Sequence, residues 1–127
     1  MRREDDSFEG YRHQRLQELI AEELRSLLRD DVRDPALQSV RIAALVLSPD
    51  YRHARIHFGV IDATDAEATR LRVERALVRA AAFLRARLAE AVEMKRVPEL
   101  RFVFDGVFAT EARFEAALDD NDEGSER

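Results

Sequence analysis

Apolar residues recur along this chain with two different periods, and the switches between them divide it into elements. From Tyr11 onward, Leu16, Leu19, Ile20, Leu24, Leu27 and Leu28 return every three or four residues, the spacing of one buried helical face. Arg12, Arg15, Glu18, Glu22 and Arg25 lie largely off that face. Asp34 precedes Pro35 and is thereby pushed out of the helical region, so the helix is expected to end within Asp30–Pro35. Val40–Leu47 is rich in β-formers, and its broken alternation predicts a strand with a bulge near Ala43-Ala44. Ser48-Pro49-Asp50-Tyr51-Arg52 reads as a turn. A second strand follows with Ala54, Ile56, Phe58 and Val60 on one face and His53, Arg55 and His57 on the other, completing a hairpin.

Asp62-Ala63-Thr64-Asp65 offers cap oxygens to a long helix whose apolar stripe is Val73, Leu77, Ala81, Leu84, Leu88 and Val92. Val97-Pro98-Glu99 breaks it, Leu100–Phe104 reads as a third strand, and Phe114 and Leu118 mark a short helical pattern. Residues 1–9 and 119–127 are polar and charged, so they are expected to form a disordered arm and a disordered acidic tail around one domain, 10–118.

Composition narrows the class. Cysteine is absent, which excludes a disulfide framework and thiolate metal ligands, and no apolar run approaches a membrane span. The N-terminus lacks the apolar stretch of a signal peptide, so a cytoplasmic protein without membrane association is expected. The formal charge of −5 is misleading, because the two ends carry it: −2 over residues 1–9 and −4 over 119–127. Residues 70–101 hold nine basic side chains against four acids. Local charge decides anion binding, since fields are screened within about 10 Å.

Catalytic chemistry finds little footing. His53 and His57 stand four apart on one strand face, roughly 13 Å at the rise of a strand, too far to share a metal. The four glycines are isolated from one another, so no phosphate-cradling loop is present. No enzymatic activity, cofactor, metal site or small-molecule substrate is expected. The arginines are the positive signal. An Arg-rich helix is ordinarily a solvated face, but Arg70 to Arg87 contains a single acid, Glu74, and unpaired like charges favour a polyanion. The candidate RNA-contacting side chains are therefore Arg70, Arg75, Arg79, Arg85, Arg87, Lys95 and Arg96.

Several segments together resemble the ribosome-binding factor A family. They are Glu18-Leu19-Ile20-Ala21-Glu22-Glu23-Leu24, Arg29-Asp30-Asp31-Val32-Arg33-Asp34-Pro35, Ser48-Pro49-Asp50-Tyr51-Arg52-His53-Ala54-Arg55, Arg79-Ala80-Ala81-Ala82-Phe83-Leu84-Arg85 and Arg96-Val97-Pro98-Glu99-Leu100-Arg101-Phe102. The resemblance implies an α+β, type II KH-like fold: helix-strand-strand-helix-kink-helix-strand, a three-stranded sheet with helices packed on one face. It implies a monomeric assembly factor that binds the small (30S) ribosomal subunit and its 16S rRNA precursor, promotes 5′-end processing and late maturation, and is linked to cold adaptation. In the family an Ala-x-Gly kink stands where KH domains clamp a nucleic-acid backbone. Here the matching triplet is Ala80-Ala81-Ala82, without the glycine, and these three residues join the candidate RNA site. The alternatives are a KH-like protein-interaction module without RNA contact and, less favoured by the residues, a small hydrolase.

Propensity alone makes the triplet a helix former. Burial argues for a break: an unbroken helix from about Asp65 to Glu93 would be about 42 Å long, while strands of five to eight residues span about 17–26 Å. Leu71 and Leu77, or Leu88 and Val92, would then be left in water. A break between Val78 and Leu84 is the resulting expectation.

Overall fold

The protein is described from a computed structural model that covers residues 2–125, with side chains described for 9–119. Helix α1 spans Arg2–Ser26, strand β1 Val40–Leu47, β2 His53–Ile61, helix α2 Ala66–Ala91, β3 Glu99–Phe108 and helix α3 Glu111–Ser125. This is the expected order, with the long helix in one piece. The helices reach into both chain ends, but the side chains of residues 1–8 and 120–127, on which the expectation of a disordered arm and tail falls, lie outside the described residues.

β1 and β2 form the antiparallel hairpin, and β3 adds parallel to β2, giving the order β1-β2-β3. The bulge falls where the alternation failed: the register slips between Ile42 and Ala44, leaving Ala43 unpaired. α1 and α2 cover one sheet face, burying Ile20, Leu24, Val73, Leu77, Leu84 and Leu88 against Ala54, Ile56 and Phe58. α1 also closes the β1 edge. The Leu47 amide donates to Gln17 Oε1 at 2.9 Å, and His13 Nε2 donates to the carbonyls of Leu47 and Ser48 at 2.8 and 3.1 Å. Both partners of that nitrogen are acceptors, so Nε2 carries the proton. α1 ends through a single π turn, Leu27–Asp31, that buries the adjacent Leu27 and Leu28 together. Asp34 is extended before Pro35 and caps the 3₁₀ turn Pro35–Leu37.

α3 packs on the other face, at one end of the sheet. Gly59 lies on the same side of β2 as His57, and a Cβ there would stand 2.7 Å from the Phe108 ring and 3.1 Å from that of Phe114. Arg41 on the same face holds Glu111 of α3 at 2.8 Å. The rest of this face, around His53, Arg55 and Arg101, is exposed among the described residues.

The expected break in the long helix does not occur: α2 is α-helical without interruption from Ala66 to Ala91, through the alanine triplet. Two physical facts reverse the burial argument. Its fully buried stripe runs only from Thr69 to Leu88, roughly 28 Å along the axis. Against it stand β2 of nine and β3 of ten residues, about 30 and 33 Å long, not the shorter strands assumed. The 3₁₀ turn and α1 cover more of it. Leu77, Leu88 and Val92 are all buried, and of the four side chains feared for only Leu71 is exposed, at 41 %. With nothing to gain from breaking, the helical preference of three alanines decides.

Candidate nucleic-acid interface

α2 starts at Asp65, whose Oδ1 accepts the Ala68 amide at 3.0 Å, so the expected cap is present. Its periodicity then sorts the arginines. With Val73, Ala76, Leu84 and Leu88 turned inward, Leu71, Arg75, Val78, Ala82 and Arg85 follow one another at three- and four-residue spacing along the exposed side.

The candidate cations are not equivalent. Arg70 is held by acids of its own helix, Glu67 one turn before and Glu74 one turn after, the latter at 2.8 Å. Those hydrogen bonds, first to Glu67 and then to Glu74, raise the guanidinium further above its ordinary range, while the bond to Arg70 lowers the Glu67 carboxyl. Arg79 reaches Asp34 at 2.8 Å, tying α2 to the segment before the 3₁₀ turn. The Asp34 carboxyl is lowered by that bond and next by the Ala36 amide. Arg87 lies 3.3 Å from Asp31 and 3.5 Å from Glu90, and its guanidinium sits 5.6 Å from the Phe83 ring centre. Glu74 is thus not the only acid that matters: Glu67, Asp31 and Asp34 come from outside the run of arginines.

Arg75, Arg85, Lys95 and Arg96 remain exposed, with no hydrogen-bond or ion-pair partner among the described residues. The triplet Ala80-Ala81-Ala82 forms a straight part of the α2 ladder, not a loop, so its amides are spent inside the helix and cannot clamp a phosphate. Ala82 is exposed, and Ala80 and Ala81 are half-buried.

Between α2 and β3 runs an open groove of about 450 Å³, with Leu77, Val78, Ala81 and Phe102 among its apolar lining and Arg85 and Arg101 at its rim. Arg101 belongs to the basic stretch but not to the candidate set, Arg55 with His53 is the alternative site should the α2 arginines not bind, and Arg52 is in neither. All three are exposed; Arg55 and Arg101 have no ionic partner among the described residues, while the charge of Arg52 helps to lower the Asp50 carboxyl, after its hydrogen bonds from Ser48 and the Arg52 amide. Their signal was present in the strand alternation, which turns Arg55 outward, but which strands are neighbours is a matter of topology. His57 Nδ1 lies 3.0 Å from Asp105 Oδ1, and His53 stands exposed. No group of three His, Cys, Asp or Glu able to hold a metal occurs among the described residues.

This fold, with a cation-lined face, matches known proteins over most of its length. A sequence model of ribosome-binding factor A matches residues 12–118. The chain belongs to the ribosome-binding factor A family. It is 38% identical over 109 residues to the ribosome-binding factor A of Halorhodospira halophila, covering 86% of this chain and 85% of that one. That of Coxiella burnetii is 34% identical over 120 residues, covering 90% and 98%. Among solved structures, ribosome-binding factor A from Thermus thermophilus superposes with a TM-score of 0.55 at 28% identity, covering 76% of this chain and 93% of that one. The α+β assignment stands, three helices with a three-stranded mixed sheet, except that the kink is absent and α3 lies on the face opposite α1 and α2. No helix among the described residues is long and apolar enough to cross a membrane.

Proposed function

We propose that this chain is a non-catalytic assembly factor that binds the small (30S) ribosomal subunit through its 16S rRNA, as a monomer in the cytoplasm. There it promotes 5′-end processing of the precursor and late subunit maturation, with a part in growth in the cold. Membership of a family named for ribosome binding carries this reading. The unpaired Arg75, Arg85, Lys95 and Arg96 support it, since acids were within reach of Arg70, Arg79 and Arg87 but not of these. Phosphates would neutralise them at little cost, because their side chains are already exposed. Recognition would rest on the folded shape of the rRNA, with backbone contacts setting position.

Sedimentation with purified small and large subunits at two salt concentrations tests this. The chain is expected to travel with the small subunit at low salt and to leave it at high salt. Replacing Arg75 and Arg85 with Glu should abolish the association with no loss of melting temperature. Association with the large subunit alone, or none at all, would overturn the proposal. The second reading, a protein-docking module, draws on the exposure of Val78 (77 %) and Leu71 on the same side of α2 as those arginines. A salt-independent association would favour it.

A further inference from the structure

The unpaired cations do not end at α2. Arg55 of β2 and Arg101 of β3 are register partners across the parallel ladder, so their backbones stand about 4.8 Å apart and both side chains leave the sheet on the face opposite α1 and α2. Their neighbours in sequence, Ala54, Ile56, Leu100 and Phe102, pack on the helical side, which fixes this orientation. Like charges directly opposite on a ladder are destabilising. Neither arginine has an acid partner among the described residues, in a chain whose other sheet arginine, Arg41, has one in Glu111. Next along β1 in the same row is Val46, 43 % exposed, an apolar surface beside the two guanidinium groups.

The surroundings extend the charge. β2 and β3 run parallel, so both begin at one end of the sheet, where the Glu99 amide donates to the Arg52 carbonyl at 2.8 Å. Arg52 and His53 are exposed at that end. The acids nearby are few. Asp50 accepts from Ser48 Oγ and the Arg52 amide, Asp105 faces His57, and Glu99 is two residues from Arg101 on the same face. Asp105 is taken by His57 and Asp50 by the turn around Arg52, so Arg55 and Arg101 are the cations of this face left without an acid partner among the described residues.

We infer that this open sheet face, centred on Arg55 and Arg101 and extended by Arg52, is a second RNA-backbone contact surface. Arg55, on the middle strand, is separated from the α2 face by the sheet and the helix layer, roughly 15 Å of protein. The chain then holds two RNA segments at once, one on each side, as suits a factor that fixes the relative position of two rRNA elements. This rests on the rRNA-binding reading above. Arg101, at the sheet edge, also rims the α2–β3 groove, so Arg52 and Arg55 are the positions that separate the two surfaces.

The experiment is the stoichiometry of a short blunt-ended RNA duplex on the full chain at low salt, by sedimentation velocity. The parent is expected to take two duplexes. Arg52→Gln/Arg55→Gln should take one, as should Arg75→Gln/Arg85→Gln, and the variant combining all four changes should take none. Arg52→Lys/Arg55→Lys, which keeps the charge, should retain two. The melting temperature of Arg52→Gln/Arg55→Gln should equal or exceed the parent's at low salt, because a repulsion is relieved. A parent that takes one duplex, lost only in the α2 variant, overturns the second surface and leaves the rRNA reading standing. A parent that takes two, with Arg52→Gln/Arg55→Gln also taking two, overturns it as well. A parent that takes none overturns both.

Discussion

Single side chains here carry contributions that depend on what the fold places beside them. Charge alone marks Arg79 as an RNA ligand, yet its ion-pair partner is Asp34, from another element. The Asp34 carboxyl is held below its ordinary value of 3.8 by that bond. A lowered acid stabilises the fold above its unfolded-state value and loses that contribution as pH falls through the folded-state value. The melting temperature of Arg79→Gln should therefore lie below the parent's at pH 6. The gap should shrink as pH falls below the carboxylate range, and a gap that stays constant down to pH 2.5 would refute the tether. Gly59 is the second such residue. A methyl group there must displace the Phe108 and Phe114 rings, which meet edge to face at 5.4 Å between centres. Gly59→Ala should cost about 1–3 kcal/mol, the range for overpacking, measured by denaturant unfolding. A neutral result would mean that α3 yields readily.

Elements were legible to the extent that their periods were clean. The β1 bulge, the alternation of β2, the Asp65 cap and the stop at Asp34-Pro35 all stood in the local pattern, because each is set by residues within a few positions of one another. The continuity of the long helix depends on a longer-range quantity, the length of its covering strands. β3 was read as Leu100–Phe104 but continues to Phe108, past Gly106 at φ 137°, where the register with β2 slips and Asp105 is left as the extra residue. A bulge admitted by a glycine is invisible to strict alternation. The consequence for α2 is testable. Ala82 is an exposed position inside an ordinary helix, so Ala82→Gly should destabilise by about 1 kcal/mol. An unchanged or raised stability would point to strain at the triplet after all.

At the scale of the whole molecule, charge is distributed by region, not by sum. The −5 net charge coexists with cations on α2 and on the open sheet face, because the excess of acids over bases lies at the chain ends. Residues 119–127 carry −4 on a chain that is otherwise nearly neutral, and an anionic segment tethered to the domain competes with phosphate for its arginines. Ending the chain at Leu118 keeps Phe114, the buried anchor of α3. It should leave the melting temperature within a few degrees and strengthen binding to a short RNA duplex, most at low salt. A cooperative loss of stability would show that the segment belongs to the fold.

Family, element order and the inward faces of the strands and of α2 followed from the chain alone, since hydrophobic period and turn chemistry are local and the motif segments are contiguous. Pairing between elements did not. That Asp34 finds Arg79, that Asp31 finds Arg87 and that Arg55 stands beside Arg101 depends on a parallel ladder and a helix packing that no window of sequence contains. Charge can be counted along a chain. Whether each charge is already satisfied depends on distances of a few ångströms between residues tens of positions apart, and only the folded structure sets those.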